Sequence, residues 1–154
     1  MVKLEMRDFI GGDYEKYIKE ITKMHMKKYF MDNFGGWSDE LCRDKFFKVV
    51  ANGYVKLFFI KDLFVGYVTF NPEIKEESSY IINDIHVSKI FQGLGYGTEI
   101  LNIAISKCKE LNAKQIKVFV FNENPALKFY KKNGFKVIKN LERSNSCVMV
   151  LDLN

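Results

Sequence analysis

A chain of 154 residues, 47% hydrophobic and 28% charged, has the length for one domain with a substantial core, expected over residues 1–154, and is too apolar to be disordered. Its three cysteines and two histidines show no ligand spacing, so no metal site is expected and the cysteines read as free thiols. The net charge of +5 comes from scattered lysines without an Arg-rich stripe, and no apolar run approaches the ~18 residues of a membrane span, so neither nucleic acid nor membrane is an expected partner. The charged start "MVKLEMRDFIGGD" does not resemble a signal peptide, which makes the expected location cytoplasmic.

In chain order, "VKLEMR" (Val2–Arg7) alternates as a strand. Asp13 is placed to cap a helix from Tyr14 to about Met31, with Tyr14, Tyr17, Ile18, Ile21, Met24 and His25 on one face. Gly35 and Gly36 break the chain. Ser38, followed by Asp39 and Glu40, opens a second helix that ends at Asn52–Gly53. "YVKLFFI" and "VGYVTF" are strands about the turn "KDLF", and "YIINDIHV" (Tyr80–Val87) is a third consecutive strand after a polar loop. A glycine loop follows, then a helix to about Leu111 with Ile100, Leu101, Ala104, Cys108 and Leu111 facing inward. "QIKVFVF" is a strand. Asn124 caps a short helix with Pro125 at its first position, and Gly134 ends it. "FKVI" and "CVMVLDL" close the chain around the polar loop "KNLERSNS". The order predicts an α/β (α+β) fold: a mixed, mostly antiparallel sheet of about seven strands with helices on both faces.

The loop "QGLGYGT", Gln92 to Thr98, crowds three glycines into five positions just before a helix. A helix start presents backbone N–H groups without intrahelical partners, and the helix dipole adds positive potential there. Glycines remove the side chains that would stand between those amides and a ligand, so the loop is suited to phosphate oxygens. A P-loop needs Gly-Lys-Ser/Thr, whereas Gly97 is followed by Thr98 and Glu99. A dinucleotide fingerprint needs G-x-G-x-x-G in the first βα turn, whereas this loop follows the fourth strand with a different spacing.

Gln92, Gly95 and Gly97 behind the strand "DIHV" resemble the acyl-CoA-binding motif of the GNAT superfamily of N-acetyltransferases. "NENPALKFYKKNGF" (Asn122–Phe135) is similar to that family's second motif at Asn124, Ala126, Tyr130, Gly134 and Phe135, and the element order fits along the whole chain. Lys89 stands where the family often has a proline. The resemblance implies the acyl-CoA N-acyltransferase fold and acetyl-CoA as co-substrate. It implies that Val87 offers backbone groups to the pantetheine arm, and that Gln92, Gly93, Leu94, Gly95, Tyr96, Gly97 and Thr98 hold the pyrophosphate. Asn124 and Phe129 would line the thioester end, and Tyr130 would be the general acid.

Freeing a lysine-like amine at pH 7 costs ~3.4 pKa units, or ~4.6 kcal/mol, so a base or a desolvating pocket must help. Asp84 and His86 fall on one face of the strand that ends at the cofactor, though alternation does not say which face meets substrate. Asp84 is the candidate base, with His86 and Glu123 behind it and a water chain as a further route. The backbone N–H of Val87 is the candidate oxyanion donor. No cysteine lies in either motif, which favours direct attack in a ternary complex. The expected partner is a primary amine, on a small molecule or a peptide, and the protein is expected to be a monomer or homodimer. "YFMDNFGGWSDE" and "KNLERSNS" are the expected acceptor segments, in which Asp32, Asp39 and Glu40 lean toward a small cationic amine and Tyr29, Phe30, Phe34 and Trp37 supply an aromatic cluster. The alternative is an acyl-CoA-binding sensor domain without turnover, and a nucleotide-binding module stands further off.

Overall fold

The computed structural model describes residues 2–154. The elements are β1 (Glu5–Asp8), α1 (Lys19–Phe34), α2 (Asp39–Asn52), β2 (Tyr54–Ile60), β3 (Leu63–Pro72), β4 (Ser79–Val87), α3 (Tyr96–Glu110), β5 (Gln115–Phe121), α4 (Ala126–Lys132), β6 (Lys136–Leu141) and β7 (Ser146–Asp152). The strands form one seven-stranded sheet in the order β1-β2-β3-β4-β5-β7-β6. Every neighbouring pair is antiparallel except β4 and β5, which a crossover through α3 makes parallel.

Two cores sandwich the sheet. On one face α3 buries Ile100, Leu101, Ala104 and Cys108 against Phe58, Val68, Phe70, Ile82, Ile116, Val118 and Met149. On the other face Tyr14, Ile18, Ile21 and Phe46 cover Val55, Leu57, Phe59 and Tyr67. Each large side chain so buried contributes about 1.5–3 kcal/mol, and the two layers hold the central strands rigidly between them.

The second helix forms as its sequence dictates: Ser38 is extended (φ −121°) and its hydroxyl accepts from the Leu41 N–H at 3.1 Å. The first helix differs at its start. Residues Tyr14–Ile18 wind as a π turn, and Asp13 is itself helical in backbone and does not cap. Its carboxylate is taken instead by Arg7, in a two-pronged pair at 2.7 and 2.8 Å, and by the Ile10 N–H at 2.8 Å. The inward face of α1 centres on Ile18, Ile21 and Thr22, which turns Met24 out to 72% exposure rather than inward. Leu111 lies just past the end of α3 and is only half-buried. The β2–β3 turn narrows to Lys61–Asp62, with Lys61 left-handed (φ 55°). The strand "FKVI" continues to Leu141, so the expected closing loop shrinks to a turn at Glu142–Asn145.

The ladder between β3 and β4 contains a bulge. Thr69 pairs with Asp84 and Phe70 with Ile82, so Asn83 is an extra residue without a partner. Before it, Tyr80 and Ile82 pack toward α3; after it, Ile85 and Val87 do. The bulge therefore turns Asp84 and His86 to the opposite face, the one covered by α1 and α2.

Candidate active site

β4 and β5 pair only over Ser79–Ile81 and Gln115–Lys117. Both strands then run on without pairing to each other, β4 to Val87 and β5 to Phe121, and a slot opens between them. Ser88 N–H donates to Val65 O at 2.7 Å. Bonded pairs alternate along an antiparallel ladder, so Val87, opposite Gly66, directs its own N–H and C=O away from β3 and into the slot. Gly66 was not singled out in the sequence; a Cβ there would collide with the His86 carbonyl oxygen.

At the wide end of the slot lies the glycine loop. Gly95 is left-handed (φ 90°) and turns the chain into α3. The helix makes its first turn of bonding with Glu99 N–H to Gly95 O at 3.1 Å, so the amides of Tyr96, Gly97 and Thr98 precede any intrahelical partner. Gln92, Gly93, Leu94 and Gly95 are exposed, while the Tyr96 ring is buried in the core, so only its backbone is available to a ligand. Gly97 faces the Phe129 ring and Val87, where a Cβ would make ordinary contacts at 3.5 and 3.9 Å. The Gln92 side chain folds back and donates to the Val87 carbonyl at 2.9 Å, tying the loop to the end of β4. Asn124 does cap α4, its Oδ1 accepting from the Ala126 N–H at 2.9 Å, which leaves the amide nitrogen as its remaining donor.

Tyr130, on α4, is 7% exposed, between the rings of Phe129 and Phe135 at 5.3 and 5.2 Å. Burial, and then the charge of Asp84, push its phenol well above the usual range, so it keeps its proton. Asp84 accepts from the Thr69 hydroxyl at 3.1 Å through Oδ2 and meets His86 Nε2 through Oδ1 at 3.4 Å. His86 is buried, and its Nδ1 lies 2.9 Å from Nδ1 of His25 on α1. Glu123 stands apart: it is exposed and accepts from Asn145 at 3.2 Å. The structure thus joins Asp84 to His86, adds His25, leaves Tyr130 linked to them by the charge of Asp84, and leaves Glu123 outside.

The segment expected to meet an acceptor is aromatic. Tyr29 stacks on Phe121 at 5.6 Å, Phe30 and Phe34 meet Phe121 edge-on, and Trp37 meets Phe30 at 5.4 Å. Phe121, the last residue of β5, ties these rings to the sheet; it was visible in the sequence only as one of a run of strand phenylalanines. Asp39 is already satisfied by Lys23 at 3.2 Å and by the Trp37 indole N–H at 2.8 Å. Asp32 and Glu40 remain exposed. The thiols of Cys42, Cys108 and Cys147 are all raised by burial, Cys108 to about 12, and Cys108 and Cys147 are buried in the α3-side core.

A mixed sheet that splays at its one parallel pair, beside a glycine loop opening a helix, is the acyl-CoA N-acyltransferase fold. Solved structures agree. The PaiA N-acetyltransferase of Thermoplasma acidophilum in complex with coenzyme A is similar over 98% of this chain and 99% of that one (TM-score 0.76, 16% identity). A GNAT family acetyltransferase from Elizabethkingia anophelis with acetyl-CoA bound is similar over 97% and 98% (TM-score 0.73, 18% identity). In sequence, the uncharacterized protein YxbD of Bacillus subtilis (strain 168) is 38% identical over 74 residues, a match spanning 47% of this chain and 43% of that protein. The model of the acetyltransferase (GNAT) family matches residues 18–135, and the chain belongs to that family. No helix among the described residues is long and apolar enough to cross a membrane.

Proposed function

We propose that the chain is a single-domain N-acetyltransferase that moves an acetyl group from acetyl-CoA to a primary amine by direct attack in a ternary complex. The observation that supports this reading is the parting of β4 and β5: Val87 turns its backbone groups away from β3 there, beside the unpartnered amides that open α3, and Asp84 lies earlier on the same strand. The residues fit the co-substrate, because the amides of Tyr96, Gly97 and Thr98 have no intrahelical acceptor and Gly93 and Gly95 put no side chain in front of them. Acetyl-CoA supplies an activated acyl group on a thiol that is already a fair leaving group.

The chain's own residues do the rest. Backbone amides from Gly93 to Thr98 hold the pyrophosphate, and Gln92 keeps that loop against Val87. Leu94 contributes only its amide, since its side chain is 57% exposed. Asn124 and Phe129 line the thioester end. The Val87 N–H donates to the carbonyl oxygen as it gains charge. Asp84 takes the proton the amine nitrogen sheds as the C–N bond forms, and Tyr130 donates to the sulfur as the C–S bond breaks. The buried, proton-retaining cysteines support direct attack rather than an acyl-enzyme.

The acceptor is a primary amine on a small molecule or a peptide. Lys23 neutralises Asp39, which weakens the argument for a cationic acceptor, and the aromatic end gives an apolar flank beside the amine. Thiol release measured over a panel of small amines and peptides tests the reading. Turnover on at least one amine is expected, with Asp84→Asn lowering kcat and leaving acetyl-CoA binding intact. Acetyl-CoA binding with no turnover on any amine would replace the enzyme with a sensor.

A further inference from the structure

His25 belongs to neither motif, yet α1 lays its ring against His86 with centroids 5.0 Å apart and the two Nδ1 atoms 2.9 Å apart. A hydrogen bond between two imidazole nitrogens requires one to donate and the other to accept. The neighbouring carboxylate shows which. Asp84 accepts from Thr69 on one oxygen and meets His86 Nε2 with the other, so His86 carries its proton on Nε2. Its Nδ1 is then a bare lone pair, and the donor across the gap must be His25 Nδ1–H. The result is a one-way line in which His25 donates to His86 and His86 donates to Asp84.

His25, at the far end of the line, is neutral at neutral pH. Burial, and then His86, push His25 down to about 4. The titratable groups nearby are Tyr67 from β3, whose ring lies 5.4 Å from that of His86, and Cys42 from α2 and Tyr130 from α4, both of which feel the charge of Asp84. Burial raises all three, so each stays protonated and neutral. His86 is 7% exposed in its side chain and Asp84 27%, and His25 is half-buried, so the line is most covered at its middle.

We propose that His25 is a positioning residue: its Nδ1–H fixes the tautomer of His86, which in turn holds the Asp84 carboxylate aimed at the acceptor. The proposal rests on the reading of Asp84 as the base. Without this partner the His86 Nδ1 lone pair loses its donor, Asp84 alone holds the ring, and any fraction that turns or takes the other tautomer presents a lone pair to the carboxylate and repels it.

The chain has only two histidines, so long-range proton–nitrogen NMR of the imidazoles assigns both without ambiguity. In the native protein His86 is expected with Nε2 protonated and Nδ1 bare, and His25 with Nδ1 protonated. In His25→Ala, His86 is expected as a mixture of tautomers, with kcat/KM for the amine lower by about 10–100-fold and acetyl-CoA affinity unchanged. His25→Asn, whose side-chain amide places an N–H where Nδ1–H stood, restores a single tautomer and most of the rate. A native spectrum with Nδ1 of His86 protonated would overturn the proposal. So would an unchanged His86 tautomer in His25→Ala, or a folded His25→Asn no better than His25→Ala. If the native protein acetylates no amine, the enzymatic reading fails while the tautomer measurement still decides the role of His25.

Discussion

Replacing Tyr130 by phenylalanine isolates one oxygen atom. The ring sits between Phe129 and Phe135, and a phenylalanine keeps both contacts. The fold should change in stability by no more than about 1 kcal/mol, the typical worth of one neutral hydrogen bond. The chemistry should change more. Burial and Asp84 hold the phenol protonated at any assay pH, so the native enzyme always has this donor ready. A positioned general acid contributes about 10²–10⁴ in rate, and the lower end applies because a thiol near pKa ~8.5 leaves fairly well unaided. The expected loss in kcat is therefore about 100-fold, or ~2.7 kcal/mol. Thiol release at saturating amine measures kcat, and calorimetry measures acetyl-CoA affinity, which should not move. An acetyl thioester of a more acidic aryl thiol needs less help and should narrow the gap between native and variant. A kcat within about threefold of native would remove Tyr130 from the general-acid role. An equal loss with both thioesters would show that its hydroxyl does not act on the leaving group.

Gly95 should be intolerant of β-branched residues: Gly95→Val places a stiff side chain at φ 90° and should abolish acetyl-CoA binding in a titration, whereas retained affinity would unseat the loop as the pyrophosphate site. The Arg7–Asp13 pair should appear in the acid limb of stability. The Arg7 hydrogen bonds hold the Asp13 carboxyl below its usual value, so its contribution is complete above the unfolded pKa of about 3.9 and is lost as pH falls through the lower folded value. Thermal melts of Asp13→Asn should show a cost of about 2 kcal/mol at pH 7 that shrinks below pH ~4, and a constant difference across pH would refute the pairing.

Much of the architecture was legible because its signals are local. Ser38 declares its helix with a hydroxyl at the right offset, Asn124 and Pro125 declare theirs, and three glycines crowded before an apolar stripe declare the loop that opens α3. What escaped the sequence was non-local. Asp13 looks like a cap until Arg7, six residues earlier, claims both of its oxygens. His25 reads as one more position on an amphipathic stripe, and only the fold reveals that His86, 61 positions on, is its neighbour. Phe121 anchors the aromatic segment because β5 runs past its pairing with β4, which no spacing in the chain announces. The face occupied by Asp84 was unreadable for a related reason: strict alternation fails at a bulge.

The extra residue Asn83 has a consequence out of proportion to its size. It changes the parity of β4, so that even-numbered side chains lie beneath α3 on one side of it and beneath α1 on the other. Removing it would alter neither the hydrophobic content nor a single titratable group. It would nevertheless exchange the two halves of the strand's tail, delivering Asp84 and His86 into the aliphatic layer and presenting Ile85 and Val87 to the acceptor. In this sheet, whether a carboxylate is a reagent or a buried fault is decided by counting, and one asparagine holds the count.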